Sequence, residues 1–143
     1  MLALVHLAKK SDNEPTAIKE IAAAENISQK FLETILLDLR KAAILASKKG
    51  RSGGYYLLKA PGDITLVEVM RLFDGPIALL PCVTYTYYER CEECVDEDTC
   101  AIRDAFLALR NMTVEFLKST TVETMIKKES ILKKLKVQGS RSE

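Results

Sequence analysis

The 143-residue chain has no tryptophan, one histidine, His6, and only four cysteines, all of them within residues 82–100. It also has no apolar run near the roughly 20 residues that a membrane span needs, and no charged and apolar leader with a small-residue cleavage site follows Met1. We therefore expect a protein that stays where it is made, in the cytoplasm. In a reducing cytoplasm, clustered cysteines are more often metal-binding or redox-active than a disulfide framework. There is no glycine-rich loop to cradle a nucleotide phosphate and no acid–base pair beside the cysteines, which argues against an enzyme or an electron carrier. No internal repeat or low-complexity tract is present. The length suits one compact module with an extension.

The near-neutral total hides a pattern of charge. Residues 1–60 carry ten Lys/Arg against six Asp/Glu, residues 61–100 two against nine, and residues 101–143 nine against five. A basic front can meet phosphate while an acidic middle avoids it, although charge counting also fits ordinary solvated surface.

Periodicity divides the chain further. Leu2, Leu4, Val5, Leu7 and Ala8 read as an apolar helix ending near Lys9 and Lys10. Thr16 is expected to cap a second helix with Ile18, Ile21 and Ala22 on one face, and a break follows at Glu25 and Asn26. Ser28 can cap a third helix, with Phe31, Leu32, Ile35, Leu36 and Leu39 inward and Gln29, Lys30, Glu33, Arg40 and Lys41 outward. Two helices with so short a join make a helix-turn-helix candidate. The runs Ile44 to Lys48 and Tyr55 to Leu58 then predict a β-hairpin. Its basic tip holds Lys49, Arg51 and Ser52, and Gly50, Gly53 and Gly54 are expected to take positive φ cheaply.

Thr65 and Glu68 form a capping box, with Ile64 and Val69 as its hydrophobic staple, opening a helix that ends before Gly75 and Pro76. From Ala101, the residues Ile102, Ala105, Phe106, Leu109, Met112, Phe116 and Leu117 repeat at helical spacing. Arg103, Asp104, Arg110, Glu115 and Lys118 are expected on the other faces. Such a two-faced helix requires a partner, and we read Ile102, Ala105, Phe106, Leu109, Met112 and Phe116 as a dimer core. Thr120 and Glu123 suggest a second capping box, leading a basic helix to about Leu135 with a fraying tail from Gln138. The expected organisation is a DNA-binding unit at 1–75, a cysteine-rich segment at 76–100, and a dimer helix with a C-terminal helix at 101–143.

A helix fits the major groove, and a basic hairpin reaches the neighbouring minor groove or backbone. Gln29 and Glu33 could read base edges, while Lys30, Arg40, Lys41, Lys48, Lys49 and Arg51 meet phosphates or the minor groove. Periodicity alone leaves open a winged module that binds protein instead. The runs Ile27 to Glu33, Leu39 to Ala42, Lys49 to Tyr55, and Ile64 to Leu66 with Asp74 to Pro76 resemble the IscR/NsrR/CymR family of bacterial winged-helix repressors. The likeness covers nearly the whole chain, and its most specific part is the Gly53-Gly54-Tyr55 wing at its distance from the Ser28 to Glu33 helix. It implies a mainly α fold with a small β-hairpin wing, a homodimer on the long helix, and no enzymatic activity. It also implies double-stranded operator DNA as partner, bound by Ser28 through Glu33 in the major groove and by the wing from Lys48 to Tyr55 in the minor groove.

Three departures from that family stand out. Its members begin about ten residues earlier with a basic and aromatic lead, so the apolar opening at Met1 suggests an upstream start or a shortened variant. Ala43 stands where the family commonly has a helix-ending glycine. Sensing members hold an iron–sulfur cluster on three cysteines with five residues between successive ones. Cys94 and Cys100 keep that spacing here, but position 88 is Tyr, and Cys91 and Cys82 are the other thiols. Four thiolates suffice for a 2Fe–2S cluster, which we favour over a 4Fe–4S one, and would also suit zinc; a metal-free thiol switch is the remaining reading. The acidic neighbours Glu89, Glu92, Glu93, Asp96, Glu97 and Asp98 should raise thiol pKa values, a repulsion that a bound cation would relieve. Tyr85, Tyr87 and Tyr88 are expected to pack this segment against the dimer partner.

Overall fold

A computed structural model of the chain describes residues 1–10 and 14–139, with side chains described as far as residue 136. The order is α1 (Leu2–Lys9), α2 (Ile18–Glu25), α3 (Gln29–Lys41), β1 (Leu45–Lys48), β2 (Gly54–Leu57), α4 (Leu66–Phe73), a 3-10 turn (Pro81–Val83), α5 (Ala101–Ser119) and α6 (Val122–Gly139). The strands pair antiparallel, with Leu45 opposite Leu57 and Lys48 opposite Gly54. The fold is thus mainly helical with one hairpin, as the sequence pattern implies. The Ser11 to Asn13 part of the expected loop and the end of the tail, residues 140–143, lie outside the described residues.

The main core forms where the apolar stripes of the first three helices meet the hairpin. Leu4, Leu7, Ile21, Leu32, Leu36, Leu39, Ile44, Leu45 and Leu57 are buried there together. Each fully buried aliphatic side chain contributes about 1.5–3 kcal/mol relative to exposure. Ser28 caps α3, its Oγ accepting from the Phe31 N–H at 3.3 Å. Phe31 itself departs from the expected inward stripe, because it is 63% exposed on the first turn of α3, while Leu32 takes the core position.

Thr16 does not cap α2. The helix begins after Ala17 without a side-chain cap. Thr16 is instead buried and exchanges two backbone hydrogen bonds with Tyr55, Thr16 N–H to Tyr55 O and Tyr55 N–H to Thr16 O, each 2.9 Å. This bridge adds a third extended segment to the wing. It also explains Gly54, since a Cβ there would lie 2.3 Å from the Thr16 carbonyl oxygen, and one at Gly53 would lie 2.4 Å from the Lys48 carbonyl. Of the three wing glycines only Gly50 has positive φ, at 109°. Close backbone approach, not handedness, accounts for the other two.

Thr65 caps α4 by accepting from the Glu68 N–H at 3.2 Å, and the staple residues Ile64 and Val69 are both buried in the main core. The second capping box is shifted by one residue from expectation. Thr120 ends α5, its hydroxyl donating to the Phe116 carbonyl. Thr121 and Thr124 form the reciprocal pair, the Thr124 N–H donating to Thr121 Oγ1 at 3.2 Å and the Thr121 N–H to Thr124 Oγ1 at 2.9 Å. From there α6 runs back against α1, with Val122 buried and Ile126 packed on the first core, and Lys9 paired with Glu129 at 2.6 Å. The C-terminal helix is therefore stitched to the first helix.

Candidate nucleic-acid interface and cysteine segment

The positions singled out on the third helix and the wing share an open surface. Gln29, Lys30, Glu33, Arg40 and Lys41 are exposed on α3, and Lys48, Lys49, Arg51 and Ser52 are exposed at the hairpin tip. Arg40 donates to the Ser47 hydroxyl at 3.2 Å, which ties the end of α3 to β1. Lys41 pairs with Asp38 at 2.9 Å. Among the described residues, Lys30, Lys48, Lys49 and Arg51 have no acidic partner. The handover from α3 to β1 runs through Ala43 at φ 54°, with the Ile44 N–H bonded to the Leu39 carbonyl at 3.0 Å. That turn sets the angle between helix and wing.

The cysteine segment hangs between α4 and α5. Cys82 is buried on the 3-10 turn, Cys91 is exposed, and Cys94 and Cys100 are half-buried. Cys94 and Cys100 lie near enough for Cys100 to help raise the Cys94 thiol. Cys91 is joined to Cys94 through its carbonyl, which accepts the Cys94 N–H at 3.1 Å. Among the described residues, no three His, Cys, Asp or Glu side chains are gathered closely enough to hold a metal ion. Cys82 lines a small cavity with Tyr85, Tyr88, Arg103 and Leu107.

Glu97 organises the segment. It accepts from the Tyr88 hydroxyl and faces Arg90 at 3.8 Å and Arg103 at 3.9 Å. Arg90 Nη2 also donates to the Cys94 and Val95 carbonyls, each at 3.3 Å. The Glu97 contact raises the Tyr88 hydroxyl above the ordinary phenol range. The Cys94 thiol is also raised, first by desolvation and then by Cys100 and Glu97, so burial leads and the acidic field expected from the sequence is secondary.

The surroundings of Cys100 suit a thiolate, although the four cysteines are not gathered into one ligand set. Cys100 is the N-cap of α5, and the Arg103 N–H points at its sulfur at 3.4 Å, the kind of hydrogen bond that tunes cluster thiolates. Arg103 Nε is buried without a hydrogen-bond partner and faces the Glu97 carboxylate at 3.9 Å.

Along α5, Ile102, Ala105, Leu109, Met112 and Phe116 are exposed and Phe106 is half-buried, while Val114 and Leu117 turn inward against α4. Leu117 thus belongs to the inner face and not to the outward stripe. Arg110 is the larger correction, because it is 8% exposed and stacks over the Tyr85 ring at 3.8 Å instead of facing solvent. Its burial was not visible in the sequence, since the residue that covers it lies on the cysteine segment.

A helix pair, a third helix open to solvent and a glycine-pinned basic wing define a winged helix-turn-helix DNA-binding protein. The family model described as Rrf2, iron-dependent transcriptional regulator, matches residues 1–128, and the chain belongs to that family. It is 44% identical over 126 residues to an rrf2-like HTH-type transcriptional regulator of Rhodobacter capsulatus, covering 88% of this chain and 84% of that one. It is 32% identical to the HTH-type transcriptional regulator CymR of Bacillus subtilis, over 85% and 80% of the two chains. The solved structure of CymR, the global cysteine regulator of B. subtilis, superposes with a TM-score of 0.71 over 87% of each chain at 33% identity. That of T. potens IscR shares the fold, with a TM-score of 0.68 over 90% of this chain and 80% of that one at 24% identity. The chain is a DNA-binding transcriptional regulator and not an enzyme. Among its described residues no helix is long and apolar enough to cross a membrane.

Proposed function

We propose that the chain acts in the cytoplasm as a homodimeric repressor whose operator binding is set by an iron–sulfur cluster on Cys91, Cys94 and Cys100, with Cys82 as the remaining thiolate. The observation that carries this reading is the place of Cys100. It caps the helix whose outward stripe is apolar, so whatever holds Cys100 also holds the start of the dimer helix. When bound, a cluster supplies iron–thiolate bonds that respond to oxidants or to iron supply. The chain's own residues do the rest. Glu97, with Tyr88, Arg90 and Arg103, anchors the segment on α5, and the Arg103 N–H is placed to offset thiolate charge on Cys100. Ile102, Leu109, Met112 and Phe116 supply an apolar stripe for a second copy, each between 46% and 72% exposed. Two copies would present two α3 helices to successive half-sites, with Gln29 and Glu33 at base edges and Lys30, Lys48, Lys49 and Arg51 on phosphate or in the minor groove.

Elemental analysis with a visible absorption spectrum of anaerobically purified protein tests the cofactor. Iron and sulfide at two or four per protomer with a visible band support it. Zinc, or no metal with all four thiols reduced, overturns it. A second reading is a zinc-bound or metal-free thiol switch, and its metal-free form is favoured by one observation: among the described residues no three potential ligands are gathered, while Cys100 lies near enough to Cys94 to raise its thiol. The CymR relative is named a cysteine regulator, which is consistent with that reading.

A further inference from the structure

Arg110 is a buried cation without a carboxylate. It is 8% exposed, its Nη1 has no hydrogen-bond partner, and no acidic side chain pairs with it among the described residues. A guanidinium largely withdrawn from water against an aromatic face, with one buried nitrogen unpartnered, is costly, and such groups are ordinarily matched by an anion. The surroundings provide space for one. Arg110 lines an open cavity of about 380 Å³ with Arg71, Ile77, Thr84, Tyr85 and Thr86, so its wall includes two arginines and no acidic residue. The Arg110 guanidinium beside it lowers the Tyr85 hydroxyl below the ordinary phenol range. Arg110 also lines an adjoining apolar groove of about 390 Å³, which shares Ile77 with that cavity and adds Met70, Leu79 and Leu109.

We propose that this junction of α4, α5 and the segment before the cysteines is an effector site for a small organic carboxylate, its anionic end on Arg110 and Arg71 and its apolar part toward Met70 and Leu79. The volume suits a metabolite-sized ligand. Two guanidinium groups match the planar, bidentate geometry of a carboxylate, and the apolar groove favours an organic acid over an inorganic oxyanion. The site touches the helix after the wing and the dimer helix, so occupancy would bias their relative position independently of the thiols. It does not rest on the cluster reading.

The test is thermal unfolding of the full chain, titrated with benzoate, succinate or sodium sulfate at constant ionic strength against a chloride control. Benzoate at ten times its Kd should raise Tm by about 3–6 °C, sulfate should act weakly, and the shift should saturate. Arg110→Gln should abolish the benzoate response. Because that variant could unfold, Arg71→Gln serves as the second, altering an exposed residue and weakening benzoate binding several-fold without changing the unliganded Tm. No response to either carboxylate beyond chloride overturns the proposal. So does an equal response in Arg71→Gln, a sulfate response as strong as that to benzoate, or a purely dimer-weakening effect of Arg110→Gln, which would assign Arg110's counter-charge to a second copy.

Discussion

Thr16 and Tyr55, 39 positions apart in sequence, are joined by two reciprocal backbone hydrogen bonds of 2.9 Å, and this bridge fixes the wing to the start of the second helix. The wing is thus braced at its root while its basic tip stays open. The bridge makes Gly54 irreplaceable in a way that Gly50 is not. Gly54→Ala forces a Cβ to within 2.3 Å of Thr16 backbone, whereas a Cβ at Gly50 meets nothing within 4 Å. Gly54→Ala should cost about 1–3 kcal/mol in urea unfolding and speed amide exchange at Tyr55. Gly50→Ala should cost about 1–2 kcal/mol from its positive φ alone and leave Tyr55 protected. Equal losses of Tyr55 protection in the two variants would contradict the brace.

Ala43 holds φ 54°, a conformation that side chains other than Gly, Asn and Asp adopt at a cost. Replacing it with Gly should stabilise the protein by up to about 1 kcal/mol, less the extra entropy of the unfolded chain. Chemical denaturation should show a higher midpoint with an unchanged slope.

The wing cations should act as phosphate contacts. Lys48→Ala, Lys49→Ala and Arg51→Ala together should flatten the slope of log K against log salt by about 2–3 on a random-sequence duplex, at about 0.9 per phosphate lost. Gln29→Ala should leave that slope in place and relax base preference by about 1–3 kcal/mol at one operator position, read by selection from a randomised duplex library.

Acid should loosen α6 from α1. Glu129 lies between Lys133 at 2.5 Å and Lys9 at 2.6 Å, and hydrogen bonds from Lys133 and then Lys9 lower its carboxyl from 4.5 to about 2. The unfolded chain therefore takes up this proton first. The stabilisation is fully present above about pH 4.5 and disappears as pH falls toward 2. Because the carboxylate is partly exposed, salt near 1 M should screen much of the effect. Thermal melts of the native chain and Glu129→Gln should converge between pH 4.5 and 2, and a constant gap across that range would remove Glu129 from the account.

What could be read in the sequence was what local chemistry fixes. Ser28 caps α3 and Thr65 caps α4 because each needs only the N–H three residues on. Thr16 has the same side chain but was claimed by Tyr55, a pairing that no local window contains. Thr120 and Thr121 offered two caps in adjacent frames, and packing of Val122 into the core selected the second. Arg110 read only as a charge off the apolar stripe, because its cover, Tyr85, is 25 positions upstream on irregular chain. The spacing of Cys94 and Cys100 was legible, and the fold brings them near enough for one thiol to raise the other. The places of Cys82 and Cys91 depend on turns with no hydrophobic period to read.

The most direct test is operator affinity measured anaerobically by fluorescence anisotropy on one protein preparation before and after cluster reconstitution, using a duplex selected from a randomised library, beside a Cys91, Cys94 and Cys100 to Ala variant. The account predicts at least a tenfold change in Kd on reconstitution, about 1.4 kcal/mol, and no change in the variant. Equal affinity in both states of a reconstituted, visibly coloured protein would contradict it.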